Sequence, residues 1–213
     1  MLSIACLCAF GFFVVAYFVF DDAGGGAGGP TQFDRSIAQF LQQHRSRELT
    51  GRVIEVSALG SAPVLVVLAL FAYSVILRAR DWLGCLHLSV ALGGGAIWAR
   101  GLQHLFDRAR PDDLLPLIVV TEGSFPSAHL FGATAAYATF AFFYARYAPG
   151  LLAEVICYAL ATIIVLMIGV TRIYLGAHHA TDVLAGIAAG AAWAFLVAAV
   201  FSLWYRPPGQ PRQ

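Results

Sequence analysis

Six apolar stretches govern what this chain can fold into. They run roughly over residues 2–20, 53–77, 82–102, 127–147, 151–171 and 181–205. Each approaches the ~20 residues that carry a helix across the hydrocarbon core of a bilayer. Lipid offers the backbone no hydrogen-bond partner, so such stretches must satisfy themselves as helices. Composition agrees. The chain is 60% hydrophobic and 12% charged, against about 25% charged residues in soluble domains. The expectation is an all-α, polytopic membrane protein with six transmembrane helices, forming a single domain over residues 1–213. The net charge of +1 gives no footing for a nucleic-acid partner.

Residues 21–52 read as a linker followed by a surface helix. Asp21 to Pro30 is glycine-rich and flexible by composition. Phe33, Ile37, Phe40 and Leu41 then recur at helical spacing, and Thr31 with Asp34 three residues later resembles a capping box. An amphipathic helix lying on the membrane fits this pattern; a solvated connector is the plainer alternative. Met1–Phe20 lacks the basic start and cleavage site of a signal peptide, and is expected to stay as the first helix. Cys6, Cys8, Cys85 and Cys157 all lie in apolar stretches without CxxC spacing, which points to buried or lipid-facing thiols. Basic residues do not set the orientation. One side carries five Arg, the linker region of the other four, and there is no Lys.

Ionisable residues are costly near hydrocarbon and mark function when they gather there. They gather in three places: Arg100 to Asp113, Phe125 to His129, and Thr171 to Asp182. Helix alternation puts all three on one membrane face, so residues 103–129 and 171–182 are the expected active-site segments. Arg110 and Arg172 are suited to clamp an anion, since a guanidinium matches phosphate oxygens and keeps its charge. Ser127 is a good helix N-cap, and the free N–H groups at a helix start, near Ala128, attract phosphate. His129 lies in the same turn. His178 and Asp182 are four apart and would share a helix face. The carboxylate would then fix the imidazole tautomer and leave the other nitrogen as a nucleophile.

These three segments resemble the three signature motifs of the type 2 phosphatidic acid phosphatase superfamily. That family's motifs are Lys, six residues, Arg-Pro; then Pro-Ser-Gly-His; then Ser-Arg, five residues, His, three residues, Asp. Here they read Gln103…Arg110-Pro111, Pro126-Ser127-Ala128-His129, and Thr171-Arg172…His178…Asp182. The resemblance implies a membrane lipid phosphatase with no cofactor and no metal. His178 would form a phosphohistidine and His129 would serve as general acid, then base. Arg110, Arg172, Ser127, Ala128 and Gln103 would bind the phosphoryl group. Phosphatidic acid, phosphatidylglycerol phosphate and undecaprenyl diphosphate are all admissible substrates. A bacterial inner-membrane location with a periplasmic site is implied as well.

Thr171 for Ser and Ala128 for Gly are mild departures. Gln103 for Lys removes a positive charge from the clamp, and Arg100, His104 and Arg108 are the neighbours able to replace it. Arg108 alternatively pairs with Asp107, Asp112 or lipid head groups. His179 and Tyr174 read as neighbours rather than catalysts. His44 and His87 have no partners in sequence, and Asp112, Asp113 and Glu122 read as a solvated loop face. Three rival functions stay open: a lipid phosphotransferase, a non-catalytic lipid-phosphate binder that lost activity with the lysine, and a metal hydrolase using His178, His179 and Asp182. A soluble haloperoxidase has similar site chemistry but does not fit the hydrophobicity.

Overall fold

The computed structural model describes residues 1–21, 28–111, 116–118, 123–147 and 150–205. Most of the glycine run, Asp112, Asp113, Glu122, Arg206 and Arg212 lie outside the described residues. Among those described, every regular element is helical: α1 (Leu2–Phe20), α2 (Gln32–Gln43), α3 (Arg47–Ala58), α4 (Ala62–Arg78), α5 (Trp82–Ser89), a π-helical turn (Val90–Gly94), α6 (Gly95–Phe106), α7 (Ala128–Tyr147), α8 (Leu151–Tyr174) and α9 (Ala180–Ser202).

Among the described residues, four helices are long and apolar enough to cross a membrane: α1, the continuous α5–α6 rod, α8 and α9. The pair α3 and α4, bent by 40°, makes a fifth if taken as one span. The expected second stretch is therefore not one rod. Leu59, Gly60 and Ser61 interrupt it, and Pro63 in the first turn of α4 suits a helix start because its missing N–H is not needed there. The third stretch continues to Phe106 through the π turn. Trp193 on α9 donates its indole N–H to the Ala91 carbonyl at 2.9 Å, so a backbone oxygen of the irregular turn gains a partner.

α7 carries Thr134, Thr139 and many alanines and sits at the centre, against α6, α8 and α9. Two glycines let α9 approach it. A Cβ at Gly186 would lie 2.6 Å from the Ser127 carbonyl oxygen, and one at Gly190 would lie 2.5 Å from that of Phe131. This spacing of small residues brings membrane helices into close contact. α1 belongs to the core: Phe12, Ala16 and Val19 pack with Phe125, Ala185 and Ala189.

The connector divides into two helices. Thr31 and Asp34 form the expected capping box at the start of α2. Ile37 and Leu41 pack against the cluster containing Ile173 and Val183, while Phe33 and Phe40 stay exposed. Arg45, between α2 and α3, donates from Nε (3.0 Å) and Nη2 (2.6 Å) to the carbonyl of Tyr174. The Tyr174 hydroxyl accepts from the Ser46 N–H at 3.2 Å. These bonds fasten the start of α3 to the end of α8. His87 lies at the far end of the bundle, stacked among Phe142, Phe143 and Phe201, with Nδ1 3.0 Å from the Tyr205 hydroxyl.

Candidate active site

The three polar segments meet at one end of the helices. Asp107 takes a left-handed conformation (φ 40°, ψ 41°) and ends α6, a role that Asp tolerates better than most residues. The chain after it carries Arg108 and Arg110 to different partners. The segment Gly123–Ser127 leads into α7, and Gly176–His179 joins α8 to α9.

His178 is 2% exposed. Its Nδ1 lies 3.0 Å from the Ser124 carbonyl oxygen. A carbonyl only accepts, so Nδ1 carries the proton, and in the neutral ring Nε2 carries the lone pair. Nε2 faces Arg110, whose Nη1 is 3.5 Å away. Burial first, then Arg110 and Arg172, push this imidazole below its ordinary range, with Asp182 opposing. The ring is thus held neutral and nucleophilic.

The expected helical face shared by His178 and Asp182 needs correction. α9 begins at Ala180 with His179 as N-cap, so His178 lies outside the helix. Asp182 Oδ2 is 3.8 Å from Nδ1, and the carbonyl of Ser124 is the atom in direct contact. Asp182 Oδ2 instead accepts from the Ser124 hydroxyl at 2.5 Å and from the His179 N–H at 2.8 Å. The carboxylate therefore holds the loop that holds the imidazole.

The two clamp arginines differ in how they are held. Arg110 donates from Nη1 to the Ala177 carbonyl and from Nη2 to the Gly123 carbonyl at 3.2 Å. Arg172 is 8% exposed. Its Nη1 reaches the Ser57 hydroxyl at 3.3 Å, and its Nε is buried with no hydrogen-bond partner. A buried guanidinium N–H without an acceptor is costly, and an anion would satisfy it.

His129 is positioned by α3. Its Nε2 donates to the Ser57 carbonyl at 3.1 Å, and Gly60 leaves it room. Ser57, like Ser124, is a site residue that sequence reasoning missed; each acts partly through a backbone carbonyl, which leaves no side-chain signature.

Gln103 is buried and donates to the Gly123 carbonyl at 2.9 Å. Of the three neighbours able to replace the missing lysine, Arg100 lines the cleft described below. Arg108 does not. Its five N–H donors go to the carbonyls of Gly28 and Gly29, the Thr181 hydroxyl, Asp182 Oδ1 and Asp34 Oδ2, at 2.5 to 3.0 Å. A guanidinium has five donors, so none remains for phosphate. Its carboxylate partners are Asp182 and Asp34, not Asp107. Ser127 is likewise fully buried. Its N–H bonds the Asp182 carbonyl at 3.0 Å and its hydroxyl accepts from the Leu130 N–H at 3.4 Å, a capping role.

An open cleft of ≈ 420 Å³ joins the remaining groups. Its polar end holds Arg110, Arg172, His129, His178, Gln103 and Arg100. Its other end runs between α4, α6 and α7 over small and apolar residues such as Leu65, Ala69, Ala99 and Ala135. Ala128 lines it near His129. Among the described residues, no three His, Cys, Asp or Glu side chains converge as a metal site.

Residues 82–206 match the PAP2 superfamily. Phosphatidylglycerophosphatase B of Bacillus subtilis is 31% identical over 166 residues, which cover 77% of this chain and 81% of that protein. Lipid A 1-phosphatase of Rhizobium johnstonii is 32% identical over 132 residues, covering 57% of this chain and 49% of the relative. The crystal structure of a transmembrane PAP2-type phosphatidylglycerolphosphate phosphatase from Bacillus subtilis superposes with a TM-score of 0.84 at 26% identity, over 95% of this chain and 98% of that one. LpxE of Aquifex aeolicus shares the fold, with a TM-score of 0.60 at 23% identity over 78% of this chain and 94% of that one. The matched region contains Arg100, Gln103, Arg110, His129, Arg172, His178 and Asp182 but not Asp34, Ser57 or Gly60, and on this footing the chain belongs to the PAP2 superfamily of membrane lipid phosphatases.

Proposed function

We propose that this protein is a metal-independent phosphatase for a lipid phosphate or pyrophosphate, working through a phosphohistidine at His178. The observation that carries this reading is the composite cleft. Its arginine- and histidine-lined end suits a phosphoryl group, and its apolar lane between α4, α6 and α7 suits an acyl or prenyl tail.

In the first step the Nε2 lone pair forms a bond to phosphorus, and the bond from phosphorus to the lipid oxygen breaks. His129, protonated, gives its proton to the departing alkoxide. In the second step His129 takes a proton from water, the hydroxide attacks phosphorus, and inorganic phosphate leaves with His178 restored. Arg110 and Arg172 hold the phosphoryl oxygens as charge shifts onto them, with Arg100 standing in for the missing lysine and the N–H groups near Ala128 assisting. Asp182 orients the loop around His178. Ser127 supports the helix start rather than the phosphate itself.

Phosphatidic acid, phosphatidylglycerol phosphate and undecaprenyl diphosphate are the substrate types that fit. The wider setting is part of the same reading. The chain acts as one unit, α1, α3–α4, α5–α6, α7, α8 and α9 make six crossings, α2 lies on the surface, and the site faces the periplasm from the inner membrane. The test is phosphate release by purified protein in mixed micelles from each of the three lipids, with a chelator present throughout. Release from at least one, undiminished by the chelator, is expected. No turnover of any, with or without a lipid alcohol as acceptor, overturns the reading.

A further inference from the structure

Asp34 lies in α2, outside the region matched to the family, yet it reaches the foundations of the site. It is 1% exposed. A carboxylate so placed must be fully hydrogen-bonded, and it is. Oδ2 accepts from the Thr31 N–H at 3.0 Å and the Thr31 hydroxyl at 3.0 Å, which together serve the helix cap. It also accepts from the Thr181 hydroxyl at 2.9 Å and from Arg108 at 3.0 Å. Oδ1 accepts from the Thr181 N–H at 2.8 Å. A capping residue needs none of these last three bonds.

They produce a charge imbalance. Arg108 pairs with Asp34 at 3.0 Å and with Asp182 at 2.5 Å, and all three side chains are at most 1% exposed. Two carboxylates share one guanidinium, leaving one negative charge in a buried cluster. The charge that develops next to this cluster is positive. When Nε2 attacks phosphorus while Nδ1 keeps its proton on the Ser124 carbonyl, the His178 ring becomes an imidazolium. Were Arg108 to pair with Asp182 alone, the two would cancel, and little field would act on that ring.

We propose that Asp34 is a positioning residue that neutralises Arg108 and so leaves the charge of Asp182 available to the imidazolium of His178. This rests on the reading of His178 as the nucleophile. The N-terminal arm, through α2, then contributes to catalysis without touching substrate.

The groups facing His178 are Asp182 at the start of α9, Arg110 from the segment after α6 and Arg172 on α8, and His129 on α7, with Arg108 and His179 beside Asp182. Only Asp34 is altered in the first variant. Asp34→Asn keeps the side-chain shape and removes one negative charge. The ring of His178 should then hold a proton less readily, so the acid limb of kcat/KM moves to lower pH. The value of kcat should fall at least tenfold while KM changes less than twofold. Thr31→Ala, which weakens the cap and removes one hydrogen bond to Asp34 but no charge, should leave the acid limb in place and kcat within about twofold.

The double variant Asp34→Asn with Arg108→Gln removes both charges and again leaves Asp182 uncompensated. Its acid limb should return to the wild-type position, and it carries the test by itself if the single variant does not accumulate. An Asp34→Asn enzyme with wild-type kcat and acid limb overturns the proposal. So does a double variant whose limb departs from wild type in either direction. If the wild-type protein releases phosphate from no lipid, the reading of His178 fails instead; a working wild type with an indifferent Asp34 discards this inference alone.

Discussion

Gly60 offers a perturbation whose effect can be worked out from distances. A Cβ added there would lie 2.6 Å from His129 Nε2, 2.9 Å from its Cδ2 and 3.0 Å from Ile168 Cγ2. Non-bonded carbon contacts settle near ~3.5–4.0 Å, so in Gly60→Ala the imidazole must retreat by roughly 1 Å. The bond to the Ser57 carbonyl, 3.1 Å long, then passes its useful limit. A misplacement of about 1 Å at a reacting group reduces rate by about 100-fold. Stability should move little, because the lost hydrogen bond, about 0.5–1.5 kcal/mol, is offset by the ~0.4–1 kcal/mol gained when Ala replaces Gly at a backbone it can adopt. Phosphate release and thermal unfolding are measured together, with Gly51→Ala as control, since a Cβ at Gly51 meets nothing within 4 Å. The expected result is a loss of about 100-fold in kcat at nearly unchanged Tm, with the control fully active. Gly60→Ala retaining kcat within threefold would refute the placement of His129 by the α3–α4 break.

Arg108→Ala leaves two buried carboxylates facing each other, a change worth about 3–5 kcal/mol; thermal unfolding in detergent should show a severely destabilised protein, whereas Arg110→Ala should fold normally and fail to turn over. Because burial lowers the His178 imidazole, its neutral, reactive form persists below the usual ~6.5. The acid limb of kcat/KM should therefore lie below that value, and the stability linked to this ring is present above it and lost as pH falls; a limb at or above 6.5 would contradict the site description. Gln103→Lys can keep the bond to the Gly123 carbonyl while adding a charge beside Arg110. The gap between a neutral and a charge-assisted hydrogen bond, about 1–1.5 kcal/mol, predicts a roughly tenfold gain in kcat/KM, read from initial rates.

What could be read from the sequence was the chemistry of side chains at fixed spacing. Arg110, His129, Arg172 and His178 line one cleft because helix alternation brings their segments to the same end. The Thr31–Asp34 cap could be read for the same local reason. The misreadings came from backbone and long-range partners. The Ser124 and Ser57 carbonyls orient the two histidines, and any residue type offers a carbonyl. Asp34 finds Thr181 across 147 residues, a separation that no periodicity reports. Arg108 sits two residues from Arg110 and has the same chemistry, yet its neighbours commit it to structure. The break at Gly60 was overlooked although Gly60, Ser61 and Pro63 mark it, because hydropathy averaged over a whole apolar stretch cannot tell a bend from a straight helix.

The most direct test of the nucleophile is to catch it. Protein quenched in alkali during turnover of a lipid phosphate, then digested and sequenced by mass spectrometry, should carry one phosphoryl group on His178, at Nε2. His178→Ala should carry none and release no phosphate. A turning-over enzyme whose phosphoryl group sits on another residue, or a His178→Ala variant that still releases phosphate, would contradict the account.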